Sequence, residues 1–161
     1  MTAASQRTAL LLGIAGLGLG AVAAALFTQH GLGMEPCPWC ILQRLIFVVI
    51  GAVALLGLLW RGVVGTWITA LPVLALAAAG VAAALWQHFV AAVSDSCKQS
   101  LAEKVISGLG LDGSLPEIFQ PRALCADAAV KLLGLPYEFW SLALFVLLGL
   151  MALRLTALSR R

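Results

Sequence analysis

The sequence predicts an all-α protein, a transmembrane four-helix bundle with a short interfacial helix or helices in its second outer loop. Three observations predict it. The 161 residues are 62% hydrophobic and only 11% charged, against about a half and about a quarter in a soluble globular domain. Four apolar stretches reach the roughly 20 residues that cross ~30 Å of hydrocarbon at about 1.5 Å per residue. The charges are sorted to match: Arg7, Arg61, Arg154, Arg160 and Arg161 flank one side of the spans, and the acidic residues lie toward the other.

The spans are expected at about 9–28, 41–60, 63–87 and 136–157, within a single integral membrane domain covering 1–161. In the first, Arg7 precedes the apolar run and Ala23 and Ala25 resemble a cleavage site. The run from Thr8 to Thr28 is nevertheless longer than the roughly 7 to 15 residues of a secretory core, which predicts a retained helix. Small residues in GIAGLGLGAVAAA of the first span and ALAAAGVAAA of the third let backbones approach closely. A tight connection at Arg61 and Gly62 makes the second and third helices antiparallel neighbours. Pro72 is expected to kink the third helix.

Lys and Arg mark the cytoplasmic side, which predicts cytoplasmic termini and outer loops at 29–40 and 88–135. Trp39, Trp86 and Trp140 fall at the outer ends of spans and Trp60 and Trp67 at the inner ends, as amphipathic rings at the headgroup level should. The net charge of +3 thus reports topology and gives no argument for nucleic acid. In the long loop, Ser100 with Glu103 predicts a capped amphipathic helix bearing Leu101, Val105, Ile106 and Leu109. A second helix is expected from Pro121 to Gly134, both lying on the membrane surface, with a mobile GLGLDGSLP between them.

Cys37 and Cys40 fall in the first outer loop, Cys97 and Cys125 in the second. All four are thus expected on the oxidising side, where disulfides persist. A Cys-x-x-Cys pair at a helix N-terminus favours a thiolate. Cys40, at the first turn of the second helix, is expected to be the better thiolate and Cys37 the more exposed partner. An inert structural disulfide and a four-thiolate zinc site are the alternatives. Against zinc, the second pair lacks a local Cys-x-x-Cys knuckle and the compartment favours disulfides. Arg44 lies one turn below Cys40, about 6 Å deeper on the same face. It either snorkels to headgroups or holds an electron-accepting group at the bilayer edge, with Gln43 available for a further hydrogen bond. Two dithiol pairs and a lipid-level cation suggest a relay that ends in a lipid-soluble two-electron quinone.

The stretch EPCPWCILQR at 35–44, the outer-loop Cys97 and Cys125, and CADAAVKLLGLPYEFWSLALF leading into the last helix together resemble the bacterial disulfide bond formation protein B (DsbB) family over essentially the whole chain. The resemblance implies a thiol:quinone oxidoreductase of the bacterial inner membrane, using ubiquinone or menaquinone, that reoxidises a periplasmic DsbA-like dithiol protein. Carried over by position, Cys97 forms the mixed disulfide with that partner, and Cys125 resolves it or exchanges with Cys37. Cys40 meets the quinone, Arg44 helps bind its ring, and His88 matches a histidine of the family's quinone site. Two rivals are a vitamin K epoxide reductase-like enzyme, in which the loop cysteines precede the Cys-x-x-Cys pair, and a structural membrane protein with two inert disulfides. A third is a variant of the same family dedicated to one specialised partner.

Overall fold

The structure is a computed structural model that describes residues 2–60, 62–93 and 100–158. Cys97, Arg61, Arg160 and Arg161 lie outside the described residues. Among the described residues, four helices are long and apolar enough to cross a membrane: α1 (Ala3–Leu32), α2 (Pro38–Gly57), α3 (Val63–Phe89) and α7 (Tyr137–Leu158). Each exists because an unbroken apolar run satisfies its own backbone polar groups, and each ends where a cap or turn residue stands. Thr2 Oγ1 accepts from Ser5 N to open α1, and Gly33, at φ 65°, closes it in the left-handed region that glycine adopts freely. The expected spans 9–28 and 63–87 are therefore extended at their ends, and the first connection shrinks to residues 33–37. The second helix starts three residues earlier than expected, because Pro38 suits its first position, and it stops at Gly57 rather than at residue 60.

The spans pack in a ring, α1 on α2, α2 on α3, α3 on α7 and α7 back on α1. Leu11, Ile14, Phe47, Ile50, Val73, Phe145, Leu148 and Leu155 form the core. Phe47 and Phe145 stack with ring centroids 4.0 Å apart. Gly80 leaves the space that the Phe145 ring occupies, and at Gly18 a Cβ would stand 3.0 Å from the Phe47 carbonyl, so small residues do admit close approach here. Pro72 sits inside α3, which continues through it.

The end of the bundle that carries Cys37, Cys40 and Cys125 is roofed by the long connection. A 3-10 turn (Ala91–Val93) follows α3; after residue 99 come α4 (Leu101–Gly108), α5 (Leu111–Ser114) and α6 (Pro116–Phe119). Ser100 caps α4 as expected, its Oγ accepting from Glu103 N at 3.2 Å. Its apolar residues divide: Ala102 and Ile106 are buried, Ile106 and Phe119 packing on Ile41 of α2, whereas Leu101, Val105 and Leu109 stay exposed. The stretch GLGLDGSLP holds the single turn α5 and the first residue of α6. One expectation fails in this connection. The helix expected over 121–134 is instead an irregular turn followed by a two-stranded hairpin, β1 (Lys131–Leu132) with β2 (Leu135–Pro136). Its two turn residues, Leu133 and Gly134, are both at positive φ, 53° and 83°, as a type I′ turn requires.

Candidate active site

Cys37 is the N-cap of α2, and its sulfur accepts from Cys40 N at 3.3 Å. That capping bond folds the Cys-x-x-Cys segment so that the two sulfurs meet at 3.0 Å. The long connection reaches the same place by a backbone clamp: Arg122 N and Ala123 N donate to Pro36 O at 2.9 and 3.3 Å. The clamp sets Cys125 against Cys37, within hydrogen-bonding reach, in a small apolar cluster with Ala91 and Ala128. Three sulfurs thus form a row: Cys125 from the long connection, Cys37 at the N-cap of α2 and Cys40 in its first turn. The exposure of the pair is the reverse of the expectation. Cys37 and Cys125 are buried and Cys40 is half-buried, because the long connection covers the N-cap. Hydrogen bonds to Cys125 and then Cys40, together with burial, hold the Cys37 thiol well above the usual thiol range.

Cys40 has a polar partner that the sequence reading missed. Gln87 of α3 is buried, and its Nε2 donates to Cys40 Sγ at 3.2 Å. Gln43 Nε2 donates in turn to Gln87 Oε1 at 2.7 Å, which fixes the amide with its NH2 group toward the sulfur. A donor aimed at sulfur favours the thiolate over the thiol.

Arg44 does not snorkel. It is 4% exposed, and its Nη1 donates to Gln29 Oε1 at 3.0 Å and to Ile118 O at 2.5 Å. Gln29 Nε2 also donates to Glu117 O, so this pair pins α6 over the helix ends. Arg44 Nε is buried with no partner among the described residues. Cys40, Gln43, Arg44 and Gln87 share one cavity of about 260 Å³, walled otherwise mainly by α1, the hairpin and the start of α7. Ala24 and Trp140 line the cavity and are exposed on the bundle's outer surface, so it opens on the apolar flank between α1 and α7. His88 is placed apart from the cavity lining. Its Nδ1 lies 2.6 Å from Glu138 Oε1, and Glu138 itself lines the cavity.

The sequence profile of the family described as disulfide bond formation protein DsbB matches residues 6–155. The chain belongs to the DsbB family. It is 36% identical over 156 residues to the disulfide bond formation protein B of Aromatoleum aromaticum, covering 94% of this chain and 93% of that one. It is 37% identical over 145 residues to disulfide bond formation protein B 1 of Pseudomonas savastanoi pv. phaseolicola, with 88% and 83% covered. It is 33% identical over 162 residues to the disulfide bond formation protein B of Ralstonia nicotianae, with 91% of each covered. DsbB proteins make disulfides for exported proteins by reoxidising a DsbA-type dithiol with quinone as the electron sink. As a member, this chain is a multi-pass membrane oxidoreductase of disulfide bond formation, and the readings as an epoxide reductase relative or an inert structural protein fall away.

Proposed function

We propose that this chain is a thiol:quinone oxidoreductase that reoxidises a DsbA-like periplasmic dithiol and delivers the electrons to ubiquinone or menaquinone in the bacterial inner membrane. The observation that carries the reading is the double position of Cys40: its sulfur touches Cys37, the middle of the row of three, and also lines the cavity that holds Arg44. Electrons that enter at one end of the row leave at the other. The residues present fit a quinone ring. The cavity is mainly apolar and opens on the flank of the bundle, and Arg44 Nε is a buried donor lacking an acceptor, which costs about 1 to 3 kcal/mol or more unless a ligand oxygen meets it.

In the resting cycle the partner's thiolate attacks Cys97, forming a mixed disulfide, and Cys125 is released as a thiolate. Cys125 attacks Cys37, and the Cys37–Cys40 bond opens to leave Cys40 as the thiolate. The partner's second thiol then closes its own disulfide and frees Cys97, which attacks Cys125; the Cys37–Cys125 bond breaks, the Cys97–Cys125 bond re-forms, and Cys37 is left as a thiol beside the Cys40 thiolate. Gln87 stabilises charge on the Cys40 sulfur, and Arg44 orients the acceptor and favours negative charge on its oxygen. A bound quinone supplies a two-electron sink for reclosure of the Cys37–Cys40 bond. The cysteines then face the periplasm and both termini the cytoplasm, in keeping with Arg7 and Arg154 at the opposite end.

The test is oxidation of a reduced DsbA-like protein by membranes supplied with a short-chain ubiquinone. Wild-type membranes should form one quinol per disulfide made, and Cys40→Ser and Cys97→Ser should each abolish it. Undiminished turnover in Cys40→Ser would refute the reading.

A further inference from the structure

Glu138, the second residue of α7, is a buried acid in a span and needs a reason. It is 4% exposed and lines the cavity that Cys40 and Arg44 share. Its Oε1 is 2.6 Å from His88 Nδ1, while its Oε2 is buried with no hydrogen-bond partner among the described residues. The His88 side chain is 32% exposed and stands edge-on to Phe89 and Phe139. The pair therefore runs from the outer surface, at His88, to the cavity, at Glu138.

A thiol:quinone reaction needs such a path. When Cys40 as thiolate and Cys37 as thiol join in a disulfide, the sulfurs give up two electrons and one proton. A quinone accepting those electrons takes two protons to become quinol. The Cys37 proton accounts for one, and the other comes from outside the sulfurs. We propose that Glu138 is the acid that delivers this second proton into the cavity, and that His88 returns a proton to it from water at the surface. The proposal rests on the thiol:quinone reading and adds a catalytic acid to it. Glu138 is faced by His88 from α3 and, around the cavity, by Arg44 and Cys40 of α2, Glu35 of the first connection and its neighbour Tyr137. Arg44 is the one fixed cation among them, so the carboxylate left after donation has a counter-charge in the same cavity.

Two measurements test this. The first needs no quinone: infrared spectra of the purified quinone-free protein should show a carboxylic acid C=O band that Glu138→Gln removes. After transfer to heavy water that band should shift quickly in wild type and at least about tenfold more slowly in His88→Ala. The second is turnover. Glu138→Gln should lower kcat for quinone reduction by about tenfold to a hundredfold, the lower range of general acid catalysis, with KM for quinone changed by less than about threefold. Its solvent isotope effect should be larger than that of wild type, because protonation then limits turnover. His88→Ala should show the same changes and recover in part when imidazole is added, which keeps the test available if Glu138→Gln does not fold. Wild-type kcat and isotope effect in both variants, or a Glu138 band that exchanges equally fast without His88, would overturn the relay. Absence of quinone reduction by wild type would instead sink the thiol:quinone reading, and the infrared result would stand apart from it.

Discussion

Arg7 and Arg44 are arginines of apolar helices at opposite ends of the bundle, and their surroundings differ in kind. Arg7 Nη2 donates to Gly57 O and Trp60 O at 2.7 and 2.6 Å, and its Nε donates to Thr66 Oγ1 at 2.9 Å. It closes the C-terminal end of α2, where unpaired carbonyls and the helix dipole both favour a cation. Arg44 is more deeply buried yet less completely bonded. Its Nη1 is held by Gln29 and Ile118, and its Nε faces no acceptor among the described residues. A guanidinium with a satisfied Nε is a fastener. One buried with a free donor beside a cavity is prepared for a ligand.

Deleting each arginine in turn should separate the two roles. Arg44→Ala should raise the quinone concentration for half-maximal turnover by about tenfold to a hundredfold, as loss of a charge-assisted bond of roughly 1.5 to 3 kcal/mol implies. Quinol formation measured against quinone concentration checks it, and Arg44→Lys should recover little, since Lys lacks the planar fork. Arg7→Ala should leave that concentration unchanged and lower stability by roughly 1 to 3 kcal/mol, read from unfolding in detergent. If Arg7→Ala altered quinone use as strongly as Arg44→Ala, the distinction between fastener and ligand donor would collapse. Gln87→Leu should be milder, slowing alkylation of Cys40 by iodoacetamide at fixed pH by about threefold to tenfold, the worth of a bond of roughly 1 kcal/mol.

The smallest effect concerns Cys37. Its thiol is held above the usual range in the folded protein, whereas the unfolded thiol ionises near about pH 8.5. Between those values the folded state retains a proton that the unfolded state has lost, so stability declines as pH rises. The reduced protein should therefore hold its full stability below about pH 8.5 and lose some above it. Denaturant titrations at neutral and alkaline pH should show the decline in wild type and less of it in Cys37→Ala.

The spans were legible because about 20 apolar residues in a row admit few other structures, and Arg44 was legible as a cation one turn below a Cys-x-x-Cys pair. The hairpin was hidden: CADAAVKLLG is rich in helix formers, and Leu133 at φ 53° breaks no rule that composition can show. The burial of Cys37 was hidden as well, since it depends on a backbone clamp between Pro36 and residues 122 and 123, a contact no local pattern reports. Gln29, Gln87 and Glu138 did leave a signal. Each is a polar residue at the edge of an apolar helix, and such residues mark function more often than chance. The sequence reading passed over them because it followed charge and sulfur, and their partners, Arg44, Cys40 and His88, come from other helices.

The place of the electron acceptor decides between a cavity at Cys40 and any other site. A photoactivatable quinone analogue, irradiated in membranes and mapped by peptide mass, tests that placement most directly. Label should fall on cavity residues such as Met34, Tyr137 and Trp140, and Arg44→Ala should largely remove it. Label concentrated at the opposite end of the bundle, near Leu12, Leu58 and Thr66, or unaffected by loss of Arg44, would contradict it.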